Sequence, residues 1–573
     1  MTAASLGLLA HYRRQHHLIK ITKSLKTIQT LGKMNERVQE LLGEQSYAAA
    51  IQLIVEGQQV AHTYKHFNCV AQLSSRLQDT MELAEEQLDV GLSKSCKEFD
   101  SCLYSKLQLA FTLLGKQPAA LDQLNLHFAS GLHQETLALL KKYAELSLSS
   151  LSSTDKEHKV LTEYNKLQFH ELCKCIDSKL YVACLCELST CLWKITVNYY
   201  KIHSWHTNQL AVDGFDSVSS TSFEQKLQHG RTRLWQDVQI KIRTLLSSLD
   251  VWLLSIDELL DLLDIVETLV EMGKQFCQSN SDVLRESVRK QSINYFRCFH
   301  RGKLDELRVF LENESWEQCP VRSNFNVLHL IEFRFLNQSS RSNSEVPSNN
   351  GQFYLMDLTT SPFSSRGTAL FEERILDRSS DKSSNFSENA YEFHEEHKAE
   401  GGITEPLLAN TTLSVLRLFG RYIHFMNLLK TIAFDVLICL NQLFDYYLYA
   451  VYKLFGTSSA VDTTSPKLRS VLAKIEETLI TTTVHETRDS VQDTSAFSSS
   501  VDKVSCPKVC LPMQMDQPNQ LYGLKLRLIA AESVIFLARQ LEFLRPNLLT
   551  LIPSSKEPLL HQFFSQVCLF YCF

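Results

Sequence analysis

The residues of this chain that could do chemistry are cysteines, histidines and paired carboxylates. The densest group is His170, Cys173, Cys175, Cys184, Cys186 and Cys191. Thiolate and imidazole are zinc ligands, and close cysteine pairs occur in metal sites. A structural zinc site, however, needs a tight cysteine knuckle and a second paired set. Cys184 and Cys191 instead fall on one helical face among Leu185, Leu188 and Leu192. At that spacing a thiol is a small apolar packing group. Cys506-Pro-Lys-Val-Cys510 is a lone pair in a polar stretch, and His16-His17 is a lone polar doublet. Without a second pair, neither builds a metal or redox centre. Glu85-Glu86 and Asp257/Asp261 sit in amphipathic text, where carboxylates form solvated faces and not an acid/base pair. The sequence has no phosphate-binding glycine loop, nucleophile elbow, dinucleotide fingerprint or zinc-protease motif. No catalytic residue, cofactor, metal or small-molecule substrate is therefore expected.

The 573 residues carry a net charge of −6 and no block of Lys and Arg, so bulk attraction to nucleic acid is not expected. The sixteen cysteines lie in Leu-rich helical text, which fits reduced thiols of a cytosolic protein better than a disulfide framework. The N-terminus lacks the basic start and full apolar core of a secretory signal, and Arg13-Arg14 with no acid nearby leaves only a weak transit-peptide pattern. No window reaches about 18 uninterrupted apolar residues. The nearest, 431–455, contains Asp435, Asp445 and Lys453 and reads as a buried core helix. Its aromatics Phe444, Tyr446, Tyr447, Tyr449, Tyr452 and Phe455 could form a partner-binding stripe; packing on two sides inside a bundle is preferred.

What must position any functional surface is helical. Apolar residues recur at threes and fours through Leu18, Ile21, Leu25, Ile28, Val38 and Leu41, then Val70, Leu73, Leu77, Met81 and Leu88. That spacing puts them on one helical stripe, and a narrow stripe on a long polar helix seeks a partner helix. These eleven residues are the expected assembly interface. Proline is absent before Pro118 and between Pro118 and Pro320, which permits long helices. The patterning predicts helices over 18–42, 47–56, 62–114, 119–128 and 132–148, a capping box at Thr154–Glu157, then helices over 250–272 and 283–310 with a joint near His300–Gly302. Further helices are expected to 455, over 468–481 and over 521–543, the last ended by Pro546 and Pro553.

The expected fold class is all-α: a long N-terminal helical rod or coiled coil, then elongated helical bundles with disordered inserts. The expected divisions are a disordered 1–17, a rod over 18–150, a bundle over 151–336, a polar linker over 337–402 and a second bundle over 403–573 with a polar insert at 482–518. The linker is rich in Ser, Asn, Glu and Asp. Its serines near acids could be phosphorylated, and a plain solvated tether is the reading that composition prefers. The final HQFFSQVCLFYCF stops inside an apolar pattern with no helix stop signal and reads as a shortened end.

Five segments together resemble the syndetin family: KTIQTLGKMNERVQELL from Lys26, YYKIHSWH from Tyr199, DELRVFLENESWEQCPV from Asp305, LNQLFDYYLYAVYKLFG from Leu440 and LYGLKLRLIAAESVIFLARQLEFLRP from Leu521. The resemblance is colinear from about residue 18 to about residue 566; MTAASLGLLAHYRRQ does not resemble the family's N-terminal extension. It implies a non-catalytic subunit of EARP, the endosome-associated recycling protein complex, related to the corresponding subunit of the Golgi-associated retrograde complex GARP. It further implies assembly with the three subunits shared by both complexes. SNARE proteins as partners, peripheral contact with endosomal membranes and return of internalised receptors to the plasma membrane follow from the same resemblance.

Overall fold

A computed structural model describes residues 2–64, 66–149, 167–213, 217–322, 325–339, 353–355, 361–363, 406–455, 465–481, 503–507 and 523–568. The all-α expectation holds: the only strands among the described residues are β1 (Ile480–Thr481) and β2 (Val504–Ser505), two parallel residue pairs. The chain divides into two compact units.

Unit 1 comprises Met1–Leu249, Ile256–Arg285 and Gln352–Asp381. Its helices are α1 (Thr2–Gly43), α2 (Tyr47–Thr63), α3 (Asn68–Lys97), α4 (Ser101–Leu113), α5 (Gln117–Ser149), α6 (Phe169–Lys174), α7 (Ser178–Asp213), α8 (Ser217–Ser248) and α9 (Ile256–Cys277). The centre is α7, which packs on α3, α5, α8 and α9. It is apolar around most of its circumference, the pattern of a helix enclosed by others. Val182, Cys184, Leu185, Leu188, Trp193, Val197 and Ile202 are all buried. Its stretch Ser178–Gln209 is long and apolar enough to cross a membrane, yet most of that apolar stretch is covered inside the unit. In this core Tyr181 Oη donates to Leu245 O (2.9 Å), and Tyr199 Oη reaches Leu227 O and Asn125 Oδ1 (both 3.0 Å).

Unit 2 comprises Asp250–Ser255, Glu286–Gly351 and Lys382–Phe573. The boundary falls inside α10 (Asp282–Glu312); α11 (Arg334–Ser339), α12 (Asn410–Leu428), α13 (Ala433–Phe455), α14 (Pro466–Leu479), α15 (Leu524–Leu551) and α16 (Glu557–Cys568) follow. Here α13 is central, against α12, α14 and α15. Phe444, Tyr446, Tyr447 and Tyr449 are core, and Tyr447 Oη hydrogen-bonds Thr412 Oγ1 (3.0 Å). Phe296, Phe299 and His300 of α10 meet Tyr422 and Phe425 of α12 in an aromatic cluster.

Several boundaries differ from the sequence pattern. Helix α1 starts at Thr2, not near residue 18, because nothing before Leu18 except Gly7 opposes helix propagation. The single helix expected over 62–114 is two: Asp100 accepts a bond from Cys102 N (2.9 Å) and opens α4 as its N-cap, a stop-and-start that an apolar period cannot register. Gly131 and Gly302 lie inside helices α5 and α10, so the joints expected there are absent. Pro546 lies inside α15, and the helix continues to Leu551 because Leu544 and Leu548 extend its buried stripe past the missing N–H. The helices of 18–150, expected as a rod apart from the next bundle, share a core with α7 and α8. Thr154–Glu157, most of 337–402 and Cys510 lie outside the described residues.

Candidate assembly interface

Helix α1 is 42 residues long, about 63 Å at 1.5 Å per residue. It has two halves. From Leu31 on, it is folded into unit 1: Leu31, Val38 and Leu42 are buried, α2 and α3 pack on it, and Thr80 Oγ1 donates to Asn35 Oδ1 (2.8 Å). A Cβ on Gly57 of α2 would meet Leu77 and Met34, a measure of how closely the three helices approach. From Ser5 to Thr30, every residue is exposed or half-buried. Thr22 and Thr27 hydroxyls return to carbonyls of their own helix, at Leu18 and Lys23, so this half meets its polar needs locally.

The structure sorts the eleven expected interface residues into two sets. Val38, Val70, Leu77, Met81 and Leu88 are buried within unit 1, with Leu41 and Leu73 half-buried at the edge of the same packing. These seven already face other helices of this chain. The other four, Leu18, Ile21, Leu25 and Ile28, continue the three-four-three spacing along the outer half of α1. Leu18, Ile21 and Leu25 are 58, 55 and 59% exposed, and Ile28 is half-buried. A second exposed apolar row, Leu8, Tyr12 and Ile19, runs beside them. Residues 1–35 hold Arg13, Arg14, Lys20, Lys23, Lys26 and Lys33 and no Asp or Glu, although the whole chain is negative. A contiguous apolar row on a cationic helix fits a partner helix with an apolar stripe and acidic flanks.

The cysteines of the densest group lie elsewhere in unit 1. Cys173, Cys184 and Cys186 are buried in unit 1. Burial pushes the Cys173 thiol up to about 12 and the Cys191 thiol up to about 11, and raises Cys184 as well. Burial thus raises the cost of forming a thiolate at these positions. Among the described residues no three His, Cys, Asp or Glu side chains are grouped to hold a metal ion. His16 and His17 are exposed on α1, His170 is exposed on α6, and Cys506 follows β2.

These features define a class: an all-helical protein whose first helix leaves an apolar, cationic stripe uncovered. Comparison with known proteins places the chain more narrowly. The family described as vacuolar-sorting protein 54, of GARP complex, matches residues 1–205, and the family described as syndetin, C-terminal, matches residues 521–570. Syndetin of Rattus norvegicus is 39% identical over 99% of this chain and 64% of its own length; syndetin of Gallus gallus is 39% identical over 99% and 65%. Vacuolar protein sorting-associated protein 54 of Drosophila melanogaster is 24% identical over 55% of this chain and 36% of its own. The chain is thus syndetin-like along nearly its whole sequence, and spans somewhat under two thirds of the length of those syndetins. No solved structure matches.

Proposed function

We propose that this chain is a non-catalytic subunit of an EARP-type vesicle-tethering complex, cytosolic and peripherally held at recycling endosomes or the trans-Golgi network. In this role it joins the three subunits shared with GARP, works with SNARE proteins and supports return of internalised receptors to the plasma membrane. Membrane contact runs through those partners. The observation that carries the reading is the uncovered row Leu18, Ile21, Leu25 and Ile28, inside the stretch that matches vacuolar-sorting protein 54 of the GARP complex.

The mechanism is helix pairing. Covering a Leu or Ile stabilises by roughly 1.5–3 kcal/mol, so four such residues with their flanking charges exceed the low end of association costs. The first 35 residues are positive, so the partner helix is negative where it lies alongside. The test is Ile21→Asp with Leu25→Asp, purified with and without the shared subunits. Loss of co-purification with unchanged helicity and melting temperature supports the reading. Full retention of the partners removes it.

A further inference from the structure

Inside the Ser- and Asn-rich stretch, two short pieces are pinned to unit 1. Tyr354 is held at both backbone groups: Trp193 Nε1 donates to its carbonyl (2.8 Å), and its N–H donates to Gln275 Oε1 (2.9 Å). Phe353 meets Tyr200 edge-on at 5.9 Å, and Leu355 is fully buried. Further on, Phe363 is buried and its carbonyl accepts from Cys186 Sγ (3.1 Å). Between the two anchors lies Ser361, whose Oγ sits 3.3 Å from Thr190 Oγ1 and accepts from Phe363 N–H (3.2 Å). Cys186, Thr190 and Trp193 are spaced by four and three, so one stripe of α7 meets both described pieces.

Ser361 is followed by Pro362, and both are half-buried, at the margin of the seat that encloses Phe363. A residue before proline is biased to an extended backbone, the conformation in which a kinase takes its acceptor. We propose that Ser361 is the acceptor of a proline-directed serine/threonine kinase, and that its phosphorylation releases the anchored segment from α7. The γ-phosphoryl group of ATP passes to Ser361 Oγ. A new O–P bond forms, the β–γ anhydride bond breaks with ADP as leaving group, and the hydroxyl proton goes to the kinase's base.

The physical consequence follows from the seat. Among the described residues the hydroxyl contacts Thr190 Oγ1 and the Phe363 N–H, beside a buried ring and a buried thiol. A group carrying nearly two negative charges keeps its water only by leaving such a seat. Glu187, one turn before Thr190 on α7, adds like charge, although Lys142 pairs with it at 3.1 Å. Lys194, one turn after Thr190, is exposed. A phosphate clamped there in the seated position is the competing outcome.

The test uses the full chain, MgATP and a purified proline-directed kinase. The phosphosite is mapped by mass spectrometry, and the rate of Cys186 alkylation by iodoacetamide is measured in the folded protein. Expected are modification at Ser361 and an increase of about tenfold in Cys186 alkylation, equal to a loss of about 1.4 kcal/mol in anchoring. Phe363→Ala should reproduce the increase without kinase, and Ser361→Ala should abolish the kinase effect. Three results overturn the proposal: no phosphate on Ser361, a phosphorylated chain whose Cys186 stays as protected as before, or Phe363→Ala leaving Cys186 protected.

Discussion

Single side chains in this molecule act on stability. His206 of α7 is buried, and its Nε2 lies 2.8 Å from Tyr104 Oη of α4. Burial, with help from His203, pushes its imidazole down to about 4. The unfolded ring titrates near 6.5, so the fold holds the neutral form. The stability this contributes is full above about pH 6.5 and is lost as pH falls toward 4, by about 3 kcal/mol in all. Thermal unfolding of the full chain between pH 7 and 4.5 should show this slope, and His206→Gln should flatten it. A wild-type slope retained in the variant would assign the acid sensitivity to another group. In unit 2, the Glu314 carboxylate accepts from Thr411 N (2.7 Å) at the start of α12 and from Trp316 N (3.2 Å). Removing it leaves buried N–H groups unmatched, a cost of about 1–3 kcal/mol. Glu314→Ala should lower the denaturation midpoint in urea, and Glu314→Gln should recover part of the loss.

The apolar stripe divides into a set buried in unit 1, Leu77 of α3 among them, and an uncovered set on the outer half of α1, and the two answer mutation in opposite ways. Leu77, which packs on Gly57 of α2, is enclosed. Leu77→Asp buries an unpaired carboxylate and should destabilise unit 1 by about 4 kcal/mol or more, seen as lost helicity and early melting. Ile21→Asp with Leu25→Asp changes residues already in water and should leave melting within about 0.5 kcal/mol of wild type while removing partner binding. The same exchange in two places along one sequence period thus separates folding from assembly. If the α1 pair also melts early, the outer half is packed in the free chain and the stripe is not an interface.

The whole molecule decides between a partner helix of another kind and a second copy of itself. Six cations and no acids along residues 1–35 repel a parallel copy of the same helix, whereas an acidic partner is attracted. Mass photometry of the chain alone should therefore show monomers, and mixing with the shared subunits should shift the mass. The complex should weaken between 50 mM and 500 mM salt, since exposed charge pairs are screened beyond a Debye length of about 10 Å at 0.1 M. A symmetric dimer of the isolated chain, unaffected by salt, would instead mark a homodimeric scaffold. Restraint of the Ser361 segment also belongs to this scale, because it ties a polar stretch to the centre of unit 1.

The helical class is legible in the chain alone, because spacing of three and four, long proline-free tracts and weak strand alternation are local properties. So is the packing role of Cys173, Cys184 and Cys186, since ligand spacing can be read in one dimension. Which part of the apolar stripe stays open is settled only in three dimensions. Val38, Leu77 and Leu88 have the same period as Leu18, Ile21 and Leu25, and the former set is covered because α1, α2 and α3 pack together and α3 packs in turn on α4, α5 and α7. The break at Asp100, the survival of α15 through Pro546 and the pinning of Tyr354 and Phe363 have the same cause. Each depends on a cap, a neighbour or a buried stripe supplied by residues elsewhere in the fold, which no local pattern encodes.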